Sequence, residues 1–184
     1  DMIGIDNSFD MLDMALERED DRILYLMQDM REFEPGEKVS AVVSACDSIN
    51  YILEPEDLQA VFFCVSESLK EGGIFIFDIN TPYKYEVLMA DNTIAENRDE
   101  GSFIWDNYYD EESSNNEYEL AVFVRNEDGT FDRFEEEHYQ HGFTLEEVSD
   151  AVKKAGLKIR NVYDAFSHNA PDDNSERLYY IIEK

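Results

Sequence analysis

The sequence predicts an α/β fold in which a parallel sheet carries an antiparallel insertion. Three observations support this. Short apolar runs alternate with helical periodicities as far as Ile79. A stretch rich in aromatic residues and acids interrupts that alternation from about residue 88 to 142. A capped helix and two strands then close the chain. The 184 residues suffice for one domain with a substantial core, so the divisions 1–87, 88–142 and 143–184 are read as parts of a single domain.

The elements follow in order. Asp1 to Asp6 reads as the second half of a strand ending in an acid, and Ser8 is placed to cap a helix carrying Phe9, Met11, Leu12, Ala15 and Leu16. Ile23 to Gln28 is a second strand, again followed by an acid, Asp29. Val39 to Ala45 is a third, and Ala41-Val42-Val43 with little polar relief suggests burial on both faces. Pro55 to Leu69 spaces Leu58, Val61, Phe62, Val65 and Leu69 along one helical face, with Pro55 in the first turn and Gly72-Gly73 as the stop. Ile74 to Ile79 is the fourth strand. Segments 102–109, 118–125 and 130–141 then read as an antiparallel meander, with turns at 111–116 and 126–129. Thr144 and Glu147 form a capping box for a helix whose buried face is Leu145, Val148, Val152 and Ala155, stopped by Gly156. Strands 157–164 and 177–182 finish the chain.

Composition excludes some functions. Forty-four acids against fifteen Lys and Arg give a formal charge of −29, which opposes binding to a polyphosphate backbone and would draw in a cationic cofactor or amine, with solubility as the plainer reading of the acids. No nucleic-acid partner is expected. Cys46 and Cys64 form no CxxC motif, and no apolar run approaches the ~20 residues of a membrane span, so a cytoplasmic protein without membrane association is expected. No Ser-His-Asp order, HExxH, P-loop or zinc spacing occurs, and no metal is expected.

In an open α/β sheet, ligands bind outside the carboxyl ends of the strands. Asp6, Asp29 and, after the third strand, Cys46, Asp47, Ser48 and Asn50 fall at such ends. An acid there can accept from both hydroxyls of a ribose, although each of these residues alone is equally a turn or capping residue. His138 and His141, where the meander returns to the sheet, are candidate bases, with a structural role in an aromatic-rich strand as the alternative. Tyr51, Tyr83, Trp105, Tyr109 and Tyr139 are candidate acceptor-binding residues, or simply core of the meander.

The order of these motifs resembles the class I S-adenosylmethionine-dependent methyltransferases, over nearly the whole chain. Gly4-Ile-Asp-Asn-Ser-Phe-Asp-Met-Leu12 resembles that family's second strand and the acid after it, Gln28-Asp-Met30 its adenine site, Cys46 to Tyr51 the segment beside the methionine moiety, and Gly72 to Asp78 the turn into its fifth strand. The resemblance implies a Rossmann-like sheet with an antiparallel lid, S-adenosyl-L-methionine as cofactor, and a small-molecule acceptor. It assigns Asp6 and Asn7 to the ribose, Asp29 and Met30 to adenine, and Cys46 and Asp47 to the methionine end. The family's first strand and glycine-rich loop have no counterpart after Asp1. The strand order 3-2-1-4-5-7-6 then implies that strands 2–5 and 39–45 lack a shared neighbour, as in a truncated chain with weakened cofactor binding. The alternatives are a non-catalytic regulator of the same fold and a nucleotide-binding oxidoreductase, which shares the acid after the second strand. The meander could also serve as a homodimer interface.

Overall fold

A computed structural model describes residues 2–18 and 20–184. The first strand, β1 (Met2–Asp6), pairs in parallel with β2 (Ile23–Met27), in register from Met2 opposite Ile23 to Asp6 opposite Met27. Asp1, the first residue of the expected strand, lies outside the described residues. Helix α1 (Phe9–Leu16) joins the two strands, and the Ser8 hydroxyl caps it by accepting from the Met11 amide at 3.3 Å.

The second sheet holds the core. β3 (Val39–Ser44) pairs in parallel with β4 (Leu69–Asn80), β4 pairs antiparallel with β10 (Arg177–Glu183), and β10 pairs antiparallel with β9 (Lys158–Asp164). Against it pack α2 (Pro55–Ser68) and α3 (Leu145–Lys154). The expected apolar face of α2 is buried throughout, and Phe62 meets Phe75 and Phe77 edge-on at 5.7 and 5.5 Å, while Phe77 stacks on Tyr180 at 4.8 Å. The third sheet is the meander β5 (Thr93–Asn97), β6 (Gly101–Asp110), β7 (Asn115–Arg125) and β8 (Phe131–His141), antiparallel throughout. β5 was not foreseen: its run of Thr-Ile-Ala-Glu-Asn is too short to show a clear alternation.

Three expectations are corrected. β3 is not buried on both faces: it is the outer strand of its sheet, and Val43 is 66% exposed. As the resemblance implied, β1 and β3 share no neighbour among the described residues. Gly72-Gly73 does not stop α2, which passes directly into β4 at Leu69. Instead the pair makes a bulge, Leu69 lying opposite Val39 and Ile74 opposite Ala41, with Gly72 at φ +73°. Gly73 has no room for a side chain, since a Cβ there would lie 2.8 Å from the Lys70 carbonyl oxygen. Leu145 is 53% exposed because it is the first residue of α3 and faces outward, while Val148, Ala151 and Val152 bury the helix. The capping box is present: the Thr144 hydroxyl accepts from the Glu147 amide at 3.2 Å, and the Glu147 carboxylate accepts from the Thr144 amide at 2.8 Å.

Candidate active site

The chain leaves β3 through two residues in the left-handed region, Cys46 (φ 61°) and Asp47 (φ 51°), which side chains other than glycine adopt only at a cost. Asp47 does not cap the 3-10 turn Ser48–Tyr51 that follows; its carboxylate is held from elsewhere. Arg177 Nη2 donates to Asp47 Oδ1 at 2.7 Å and Gln140 Nε2 donates to Oδ2 at 2.9 Å. Arg177 Nη1 also donates to Asp78 Oδ2 at 2.9 Å, and the Asp47 amide donates to the same oxygen at 3.1 Å. Asp78 is only 5% exposed, and this guanidinium is its charged partner.

The network closes on itself. Arg177 Nε and Lys84 Nζ both donate to Asn80 Oδ1 at 3.0 Å, Asn80 Nδ2 donates to the Tyr85 hydroxyl at 3.2 Å, and Tyr85 donates to Gln140 Oε1 at 2.9 Å. Asn50 ties the 3-10 turn to the same place: its Nδ2 donates to the Asn80 and His141 carbonyls, and its Oδ1 accepts from the Asn80 amide. Burial pushes the Lys84 ammonium pKa down, with Arg177 beside it acting the same way, and burial pushes the Tyr85 phenol far up.

A second cluster lies where β8 meets the 3-10 turn. The Tyr51 hydroxyl is 2.9 Å from the Tyr118 hydroxyl and 3.0 Å from His138 Nδ1, and His138 Nε2 is 3.1 Å from Glu136 Oε2. Tyr118 stacks on His138 at 4.6 Å, and Trp105 leans on Tyr118 at 5.1 Å. Desolvation raises the pKa of both Tyr51 and Tyr118. The Trp105 indole nitrogen is buried without a hydrogen-bond partner among the described residues.

The remaining candidates are dispersed. His141 is buried, its Nδ1 2.8 Å from Asn115 Oδ1 and its ring against Phe143, and burial lowers its pKa. It is a packed residue beside the site. Strand alternation sends Tyr139 to the opposite face of the meander from His138, where Tyr139 donates to Glu117 at 3.3 Å. Tyr139 and Tyr109 line a shallow outer cavity of about 310 Å³ with Tyr108 and Glu117. Tyr83, half-buried, precedes the π-type turn Lys84–Met89. At the other sheet, Asp6 Oδ1 accepts from the Ser8 amide at 2.8 Å and Asn7 is exposed in the bend that follows. Asp29 is gripped by Arg31 through both oxygens, at 2.9 and 2.7 Å, which lowers its pKa, and Arg31 reaches on to Asp57 of α2 at 2.8 Å. Met30 packs against the core and Cys46 is exposed.

No family model matches the chain. YqeM of Bacillus subtilis (strain 168), which its name assigns to the methyltransferases, is 33% identical over 187 residues, an alignment covering 100% of this chain and 75% of that protein. The crystal structure of an S-adenosylmethionine-dependent methyltransferase from Clostridium acetobutylicum ATCC 824 superposes with a TM-score of 0.91 at 28% identity, covering 98% of this chain and 74% of that one. The chain belongs to the class I S-adenosylmethionine-dependent methyltransferases. A third relative, the dTDP-3-amino-3,4,6-trideoxy-alpha-D-glucopyranose N,N-dimethyltransferase of Streptomyces venezuelae, is 35% identical over 95 residues, 52% of this chain and 38% of that protein.

S-adenosylmethionine is thus the methyl donor of this enzyme, and the oxidoreductase and non-catalytic readings fall away. Carboxylates stand at the end of β1 (Asp6) and just after β2 (Asp29), and after β3 a polar loop meets the Asp47–Arg177–Asp78 network. Among the described residues, no helix of this methyltransferase is long and apolar enough to cross a membrane. Sequence reasoning missed Arg177, Asn80, Lys84, Tyr85 and Gln140. Only the antiparallel pairing of β10 with β4, which sets Arg177 opposite Asn80, and the return of β8 onto the 3-10 turn bring them together. Asn50 stood among the residues expected at the end of the third strand, and Asp78, at the end of a quoted strand motif, carried the same polar signal.

Proposed function

We propose that this methyltransferase methylates an amine nitrogen of a small-molecule acceptor held between Tyr51 and the inner face of the meander, with His138 as the general base. The observation that carries the proposal is the hydrogen-bonded chain Tyr118–Tyr51–His138–Glu136. Glu136 accepts from Nε2–H, which leaves Nδ1 as an acceptor facing the Tyr51 hydroxyl. As an acceptor ammonium gives up its proton to the Tyr51 oxygen, the Tyr51 proton passes to Nδ1, and the imidazolium so formed is paired with Glu136. Tyr118 donates to Tyr51, and the raised phenol pKa of Tyr51 keeps it a relay rather than a standing phenolate. Bound S-adenosylmethionine would supply an electrophilic methyl group, the C–S bond pair leaving on sulfur as S-adenosylhomocysteine, so the enzyme's share is positioning and proton removal.

In this proposal Asp6 and Asn7 receive the ribose, Asp29 and Met30 the adenine, and Cys46 and Asp47 the methionine moiety. Arg31 leaves Asp29 lone pairs for an adenine amine, since an ionised carboxylate offers about four acceptor positions. An amine acceptor agrees with the charge of −29, which concentrates cations around the molecule, and with the amino-sugar substrate in the name of the Streptomyces venezuelae relative. The amine-bearing carbohydrate is therefore the acceptor class to try first. The test is transfer from labelled S-adenosylmethionine to a panel of amino sugars, alkylamines and matched alcohols. Amines are expected to be methylated, and His138→Asn to lower kcat roughly 100-fold, the scale of a lost base, with S-adenosylhomocysteine affinity retained. An unchanged kcat, or transfer to the alcohols alone, would contradict the proposal.

A further inference from the structure

We infer that Gln140 and Tyr85 are positioning residues for the cofactor, a clamp through which the last strand of the meander fixes the loop after β3. The inference rests on the reading above that Cys46 and Asp47 border the methionine moiety. Its basis is the closed ring of hydrogen bonds from Asp47 to Arg177, Asn80, Tyr85, Gln140 and back to Asp47, every link between 2.7 and 3.2 Å. The five residues come from four separate parts of the chain: the end of β4 with the turn after it, the start of β10, the end of β8 and the loop after β3. Asn80, Tyr85 and Gln140 are buried, so the two bonds among them are made out of competition with water.

The ring has a directional logic. Gln140 is an amide with one donor and one acceptor end, and both are used: its oxygen accepts from Tyr85 and its nitrogen donates to Asp47. Tyr85 in turn accepts from Asn80, whose own oxygen is occupied by Arg177 and Lys84. The amide orientation of Gln140 is thereby set by the Tyr85 hydroxyl. Two consecutive left-handed residues, Cys46 and Asp47, are strained unless the surroundings over-determine them, and the ring is the device that does so. Gln140 stands two residues after His138 on the same strand face, so the wall that carries the proposed base and the loop that borders the cofactor are joined through one side chain.

The experiment is a double-variant cycle read by calorimetric titration of S-adenosylhomocysteine into the full-length protein. Gln140→Glu is isosteric and sets a carboxylate against Asp47; Asp47→Asn removes the charge that Gln140 serves. Each single variant is expected to weaken binding roughly tenfold, the size of one lost hydrogen bond to a charged group. The double variant exchanges amide and carboxylate across the same gap, and its affinity is expected to return towards that of the parent. A purely structural role would move the melting temperature without this rescue. Tyr85→Phe, which deletes one hydroxyl and with it two buried bonds of the ring, serves as the second probe and is expected to weaken binding several-fold while also lowering the melting temperature. Additive losses in the double variant, or parental affinity in both Gln140→Glu and Tyr85→Phe, overturn the clamp. If Asp47→Asn, Gln140→Glu and Asp6→Ala all bind as the parent does, the cofactor reading of the strand ends falls and the clamp falls with it. If Asp6→Ala alone weakens binding, only the clamp falls.

Discussion

His141 shows how one buried side chain sets a pH dependence. Burial is the main influence on its pKa and moves it below the ordinary histidine value of about 6.5, with Glu147 and Glu54 opposing from α3 and from the residue before α2. The unfolded chain therefore takes up this proton at a higher pH than the folded one. The contribution to stability is complete above about 6.5 and declines as the pH falls towards the folded value. His141→Gln, which carries no charge at any pH, is expected to lose less melting temperature than the parent between neutral and mildly acidic buffer; parallel slopes would contradict this. His138, the proposed base, stands at the return of the meander, and strand alternation sends the adjacent Tyr139 to the other face. Asp47 reads equally well as a cap, and only its Arg177 and Gln140 partners, 130 and 93 residues away, decide the matter.

At the scale of elements, the β4–β10 pairing is the joint on which the site depends. Arg177 opens β10 opposite Asn80 and places its guanidinium between Asp47 and Asp78. Arg177→Met is expected to destabilise the fold by about 3–5 kcal/mol, because Asp78 would be left buried without its counter-charge, and urea unfolding measures this. The paired variant Arg177→Met with Asp78→Leu is expected to recover only part of the loss: it removes the unpaired buried carboxylate but leaves Asp47 without its Arg177 and Asp78 partners. The α3 cap is a local matter by comparison: Thr144→Ala is expected to cost about 1 kcal/mol and to leave the site untouched. That cap and the apolar face of α2 are legible in sequence because all their determinants lie within one or two turns. The bulge at Gly72-Gly73 is not, because a glycine pair after a helical run serves a stop and a bulged strand alike, and the strand partner that decides between them is 30 residues earlier.

Across the whole molecule, the excess of acids is arranged rather than uniform. Asp106, Glu119 and Glu137 stand side by side on β6, β7 and β8 on the outer face of the meander, away from Tyr51 and His138. A dimer closed through that face would set this row against itself, so light scattering at low ionic strength is expected to show no self-association through it, and a dimer abolished by Glu119→Lys would contradict that. The inner face instead turns towards the loop after β3, through Tyr51 and Asp47. The most direct test of the cofactor site is an amide chemical-shift map of the isotope-labelled full-length protein titrated with S-adenosylhomocysteine. The expected result is that the largest changes fall on Asp6 to Ser8, on Asp29 and Met30, and on Cys46 to Ser48, with Tyr108, Glu117 and Tyr139 of the outer cavity unmoved. Changes centred on that outer cavity, with the three strand ends silent, would contradict it.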